Sequence, residues 1–211
     1  MSILQELLES PSLHTSCGSA AKRATLKAKL TPSNASKQIA EGLKVSEGED
    51  LLLEEAHVTV KGNLILEDQS RLLVAGDLEV EGNIIHEGFD YALLFVGGSL
   101  RADNLLFHGE VVALGSITLR GIAWTYYNDY STYADTLTAR VVVADDREDA
   151  VDEVRADAHL TGHSSDITPK LGKLLQADVL DANGHWSYPN LAKRLSQREE
   201  LLLTGNRSSR R

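Results

Sequence analysis

The stretch from Leu72 to Ile85 reads LLVAGDLEVEGNII, and LFVGGSLRADNLLF follows it from Leu94 to Phe107. A phrase repeated at this spacing limits the fold more than any single residue does. One such unit has too few apolar side chains to bury, and only stacking on a neighbour of the same kind closes a core. The phrase recurs at Gly62-Asn63-Leu64, Gly76-Asp77-Leu78, Gly98-Ser99-Leu100, Gly115-Ser116-Ile117 and, degenerate, Asp135-Thr136-Leu137, with spacings of 14, 22, 17 and 20. Before each glycine stands a β-prone run (VTVKG, LLVAG, LFVGG, VVALG), and after each anchor an aliphatic or alanine returns two residues on (Leu66, Val80, Ala102, Leu119, Ala139).

Alternation with period two makes short half-buried strands, and glycine followed by Asn, Asp or Ser makes the corner between them. The expected fold is therefore mainly β: a single-stranded right-handed β-solenoid (β-helix) of about five irregular coils. Each coil would stack about 4.8 Å further along the axis. Leu78, Val80, Ile84, Leu100, Leu105, Leu106, Ile117, Leu119 and Val142 are expected to point inward. Leucine-rich repeats share the period but need an L-x-x-L-x-L phrase and an asparagine ladder, neither of which is evident. A β-sandwich would show hairpin turns without the repeated glycine-polar-leucine phrase.

The flanks read as helical. SILQELLES sets Leu4, Leu7 and Leu8 on one helical face behind Ser2, and SAAKRATLKAKL and ASKQIAEGL are further helical candidates. Thr168-Pro169 and Pro189 each look like a helix start, opening KLGKLLQADVL and NLAKRLSQREELLL. This divides the chain into an N-terminal arm (1–45), a solenoid core (46–167) and a C-terminal helical cap with a basic tail (168–211). Solenoid ends expose unpaired strands, and the flanks are expected to cover them.

Charge follows the same division. The net charge of −10 resolves into +3 over 1–45, −17 over 46–167 and +4 over 168–211. So acidic a centre argues against nucleic acid, whose phosphates need clustered Lys and Arg, and favours a basic protein partner or a cationic ligand. The single Cys17 excludes an internal disulfide, and its place in the small-residue stretch HTSCGSA reads as a linker cysteine rather than a catalytic thiol. No basic leader opens the chain and no apolar run reaches about 18 residues, so a cytoplasmic protein with no membrane contact is expected.

Catalytic signatures are missing: there is no P-loop, dinucleotide fingerprint, H-E-x-x-H or G-x-S-x-G. The carboxylates of DDREDAVDE look like one solvated strip rather than a matched acid and base. His86 and His108 lie eight residues after their anchor leucines and would stack in a column continued by Thr125 and Asp145. Two imidazoles give too few ligands for a metal. DAHLTGHSSD gathers Asp157, His159, His163 and Asp166, without a periodicity that would fix their geometry. No metal, cofactor or enzymatic activity is expected.

Trp124, Tyr126, Tyr127, Tyr130 and Tyr133 are five of the eleven aromatics, within ten residues. Interleaved polar residues suggest a loop, and aromatic loops are common binding hot spots. With Asp129, Asp145 and Asp146 as an acidic rim, these residues are the expected partner-binding surface.

Residues about 58–146 resemble the bactofilin-like, polymer-forming β-helix proteins of bacteria, through VKGNLILE, VAGDLEVEGNI, VGGSLRADNL and LGSITLRGI. The resemblance implies a non-enzymatic scaffold that self-associates end to end. The uneven coils and the long flanks depart from that pattern. The residues themselves favour a protein-binding module that presents the aromatic loop to a basic partner. An immunity protein neutralising a toxin is one such module, and the self-assembling scaffold is the alternative.

Overall fold

The computed structural model describes Leu4, Leu7, residues 16–48, 51–126, 130–145 and 150–203, with the backbone alone at Tyr126. Helix α1 (Ala20–Lys29) starts at Ser19, whose hydroxyl accepts from the Lys22 amide, and ends with Lys27 and Lys29 in its last turn. Strands β1 (Ser33–Ile39), β2 (Leu43–Val45) and β3 (Leu52–Glu54) make the first turn of a parallel coil. The second turn is β4 (Ala56–Val60), β5 (Leu64–Glu67) and β6 (Arg71–Val74), and the third is β7 (Leu78–Val80), β8 (Ile84–Glu87) and β9 (Leu93–Val96). A fourth holds β10 (Leu100–Ala102), β11 (Leu105–Phe107) and β12 (Glu110–Ala113). The fifth holds β13 (Ser116–Leu119), β14 (Ile122–Tyr126) and the start of β15 (Thr132–Asp145); β16 (Ala150–Gly162) follows β15 around the coil in parallel register. The result is a β-solenoid of about six turns with three strand faces.

β1, β4, β7, β10 and β13 form face 1; β2, β5, β8, β11 and β14 form face 2; β3, β6, β9 and β12 form face 3, and β15 and β16 cross all three. Leu78 pairs with Leu100, Leu100 with Ile117 and Ile117 with Leu137, as the anchors imply. Leu64 does not belong to that series. It pairs with Ile84 on face 2, whereas the partner of Leu78 in the preceding turn is Val58. Two corners of the coil use the same glycine-polar phrase, so the short first spacing came from reading one corner as the other.

Three layers of apolar side chains result. The lumen holds Val58, Leu64, Leu78, Val80, Ile84, Leu100, Leu105, Ile117, Leu119 and Val142 in one cluster. Leu106 is not among them, because it lies in an outward column on face 2: Ile65, Ile85, Leu106, Trp124, Val143, Leu160. On face 3 the outward column is Leu53, Leu73, Phe95, Val112, Tyr133, Ala150. On face 1 it is polar: Gln38, Thr59, Glu79, Arg101, Thr118, Thr138, Arg155. Water can wet face 1 but not the other two, and the chain ends cover those two.

Leu4, Leu7, Cys17, Leu26 and Leu30 pack on face 3. Arg23 of α1 is fully buried: its Nε lies 3.1 Å from Asp135 and its Nη2 2.5 Å from Asp152, while Nη1 donates to the Cys17 carbonyl. A buried guanidinium is tolerable only with such a full set of partners. On face 2, α2 (Ser164–Leu171), a 3-10 turn (Ala177–Val179) and α3 (Tyr188–Ser196) bring Ile167, Leu171, Val179, Leu191 and Leu195 onto the Ile85–Leu160 column. The described helices of the flanks therefore cover the sides of the coil, where the sequence led to an expectation of covers over its ends. ASKQIAEGL is not helical but forms β1 and the approach to β2, and α2 starts at Ser164, with Pro169 inside it. Ser187 does cap α3, with proline in its first turn.

An asparagine ladder also exists. Asn63 Oδ1 accepts from the Asn83 amide (2.9 Å), Asn83 Oδ1 from Asn104 Nδ2 (2.8 Å), and Asn104 Oδ1 from the Ile122 amide (2.8 Å). The remaining amide hydrogens point outward. Asn83 Nδ2 donates to the Leu195 carbonyl (2.8 Å) and Asn63 Nδ2 to the Ser196 carbonyl (3.1 Å), so the coil itself caps the last turn of α3.

Two outcomes follow from the layers. Leu100→Ala, in the lumen, is expected to cost about 2–5 kcal/mol in urea unfolding. Deleting residues 163–211 would bare Ile85, Leu106, Trp124 and Val143, and should produce association and binding of a hydrophobic dye. A truncated protein that stays monomeric and binds no dye would contradict the covering role.

Candidate functional site: the aromatic corner

Faces 2 and 3 meet at a corner whose described connections include residues 68–70, 88–92 and 108–109. The described members of the expected partner surface divide. Trp124 is fully buried, its ring 5.1 Å from Trp186 under the C-terminal segment. Tyr133 is buried in the face 3 layer, where burial, with Glu110 adding to it, pushes its hydroxyl up to about 12. Asp145 is buried too, and both of its oxygens accept from the Ser164 hydroxyl at the first turn of α2 (3.0 and 2.9 Å). These three side chains supply packing, and no surface remains on them for a partner to touch. Tyr127, Asp129 and Asp146 lie outside the described residues, as does the side chain of Tyr126. Tyr130 is half-buried, and its ring lies 5.3 Å from Tyr91.

Two residues that the sequence reading passed over complete the corner. Phe89 is 63% exposed and stands over His108 (5.1 Å) and Tyr188 (5.3 Å). Tyr91 lies under Arg71, whose guanidinium carbon is 5.8 Å from the ring centroid; burial, with Glu110 adding to it, raises its hydroxyl to about 12. The loop that carries Phe89 is fixed by Asp68. One oxygen of that carboxylate accepts from the Asp90 amide (2.9 Å) and lies 3.0 Å from His86 Nε2. Gly88 permits this approach, since a Cβ there would stand 1.9 Å from the same oxygen. Gln69 turns the chain in the left-handed region (φ 61°), and its amide donates to the Tyr91 carbonyl (2.7 Å). Phe89 is thus held out on an ordered loop beside Asp68, Glu87 and Asp90. Phe89 and Tyr91 follow Glu87 in the sequence as EGFDY, an aromatic pair in a glycine-acidic turn, which was the available signal.

Beneath Phe89 lies a histidine seam. His86 and His108 are both buried and their rings are 6.1 Å apart, edge to face. They do not share a column. Leu100 to Leu105 is one residue shorter than Leu78 to Ile84, so Phe107 takes the place below His86 and pairs with Thr125, while Asp145 pairs with Tyr126. Tyr188 closes the seam: its hydroxyl donates to the His86 carbonyl (2.6 Å), and its ring is 4.0 Å from His108. His159 and His163 are both exposed, the first on β16 and the second at the N-cap of α2. Among the described residues no group of three His, Cys, Asp or Glu side chains could hold a metal ion. Cys17 is buried, and its thiol is pushed up to about 11, mainly by that burial, so it is a poor nucleophile.

The fold defines a parallel β-solenoid whose two apolar outer faces are covered by its own chain ends. No family model, curated protein or solved structure matches the chain. No helix among the described residues is long and apolar enough to cross a membrane.

Burial is the largest influence on His86 and holds its pKa below the ordinary imidazole value, against Asp68 and Asp90, which pull it up. The unfolded chain then binds a proton that the folded seam resists. Stability is therefore full above about pH 6.5 and declines as pH falls through the depressed folded value. Thermal melts from pH 7.5 to 5 should show this decline, and His86→Leu, which continues the Leu66 column, should flatten it. An unchanged slope in that variant would remove His86 as the cause.

Proposed function

We propose that this protein is a non-catalytic β-solenoid binding module that offers the aromatic corner to a basic protein partner. The observation that carries this reading is Phe89, a large apolar side chain 63% exposed on a loop held by the Asp68 hydrogen bonds. Water should be expelled from such a ring on contact, and little conformational entropy is lost because the loop is already ordered. Asp68, Glu87 and Asp90 surround it with negative charge, and the 46–167 segment adds a field of −17 that attracts cations. A cationic toxin domain, held by this chain as an immunity protein, is the kind of partner that fits. The cytoplasm, where no disulfide would be required, suits the single cysteine.

A second reading, the bactofilin-like scaffold, draws on the far edge of β16. Among the described residues this thirteen-residue strand pairs only with β15, and the partly buried Val151 and Val154 continue the lumen there. The other end differs. Lys37 stands in the inward column above Val58, Glu54 in that above Val74, and the two join in an ion pair of 2.6 Å across the mouth. Inward charges of this kind block strand addition. Self-association through β16 would then stop at pairs, which light scattering would distinguish from filaments.

For the binding module, affinity capture from the native host supplies the partner. Phe89→Ala should then weaken binding by about 2 kcal/mol or more, chiefly through the off-rate, with an unchanged melting temperature. Replacing Glu87 and Asp90 by their amides should slow association and flatten its salt dependence. If the captured partner binds the Phe89 variant as tightly as the parent, the corner is not its surface.

A further inference from the structure

At the opposite corner, where faces 1 and 2 meet, the acidic coil carries a concentration of positive charge. Arg120 and Arg140 follow the paired Thr118 and Thr138 in consecutive turns, but the register slips by one residue there: Ile122 pairs with Val141, which sets Arg140 beside Gly121. Arg120 is engaged from one turn earlier, its Nε 2.5 Å from Asp103 Oδ1. Arg140 has no carboxylate partner among the described residues, and its backbone amide donates to the Gly121 carbonyl (2.8 Å).

A third guanidinium arrives from the C-terminal segment. Arg198 follows α3 with φ 59°, in the left-handed region that side chains other than glycine seldom occupy. That turn aims its side chain back at the coil, where Nη2 donates to the Glu81 carbonyl (2.5 Å) and lies 4.0 Å from Asp103 Oδ2. The left-handed residue closes α3, with the Arg198 amide donating to the Leu195 carbonyl (2.9 Å) and the Glu199 amide to the Arg194 carbonyl (3.1 Å). The three arginines line one cleft of about 310 Å³, with Asp103, Asn104 and Glu200 in its wall. Glu199 also borders the cleft, but its carboxylate is 3.3 Å from Arg194.

We propose that this cleft binds a phosphate monoester carrying a small hydroxylated group. Guanidinium forks match the oxygens of a phosphate in pairs, and Arg140, which no carboxylate among the described residues engages, is the fork left to receive them. The volume sits at the lower end of the roughly 300–1,000 Å³ of small-molecule sites, leaving room beside the phosphate. Glu200 is available to accept from hydroxyls at the rim. The site is distinct from the aromatic corner and needs no partner protein.

Titration calorimetry with glycerol phosphate, inorganic phosphate and glycerol, at fixed ionic strength, tests this on the full chain. Glycerol phosphate should bind with one site per chain and glycerol should not. Equal affinity for inorganic phosphate would support the clamp and assign it to the free ion, whereas tighter binding of the ester supports the ester. Arg140→Gln should weaken binding about tenfold or more, the loss of one charge-assisted contact, without lowering the melting temperature. Arg198→Gly should weaken it as well while keeping or raising that temperature, because glycine accepts the left-handed turn. The proposal is overturned if the folded parent shows no saturable heat with either phosphate. It is equally overturned if both variants bind as the parent does.

Discussion

The whole molecule depends on one constraint: a parallel coil buries its inner side chains by stacking, but it cannot hide what points outward. Here the outward columns of two faces are as apolar as the lumen. Ile85, Leu106, Trp124 and Val143 on one face, and Leu73, Phe95, Val112 and Tyr133 on the other, would meet water in a bare solenoid. The N- and C-terminal segments remove them from it. This explains why the described helices of both flanks lie on these two faces, and why face 1, with its column of Thr, Glu and Arg, is left open.

Attachment of the flanks is polar as well as apolar. The asparagine ladder turns unused amide hydrogens toward the carbonyls that end α3, and Tyr188 bonds the backbone at His86. On the other side Arg23 reaches Asp135 and Asp152. Each of these bonds joins residues far apart in sequence, so the coil and its covers specify one another's position. The two proposed surfaces lie where the covers stop: the aromatic corner beside Tyr188, and the arginine cleft beside the chain after α3.

The repeated glycine-polar-leucine phrase was enough to read a β-solenoid with an aliphatic lumen, because period-two alternation and corner residues are local properties. The density of aromatics between Trp124 and Tyr133 was legible. The burial of Trp124 and Tyr133 in two different layers was not, since β14 and β15 carry them on strands, and side-chain direction on a strand alternates with each residue. Phe89 was passed over because a lone phenylalanine in a turn carries no periodic signal. Leu106 was assigned to the lumen because outward and inward positions are equally apolar when a face is covered on both sides.

What the sequence determined by itself was the coil, its charge asymmetry and the helical character of α1 and α3, each set by spacing and composition within a few residues. What only the tertiary structure decided was register and cover. Two corners share the Gly-Asn and Gly-Asp phrase, so the assignment of Leu64 to face 2 waited on strand pairing. The convergence of Arg120, Arg140 and Arg198 waited on the chain returning to the coil after about sixty residues. Contacts between distant residues are set by packing, and packing leaves no mark on the local pattern from which a sequence is read.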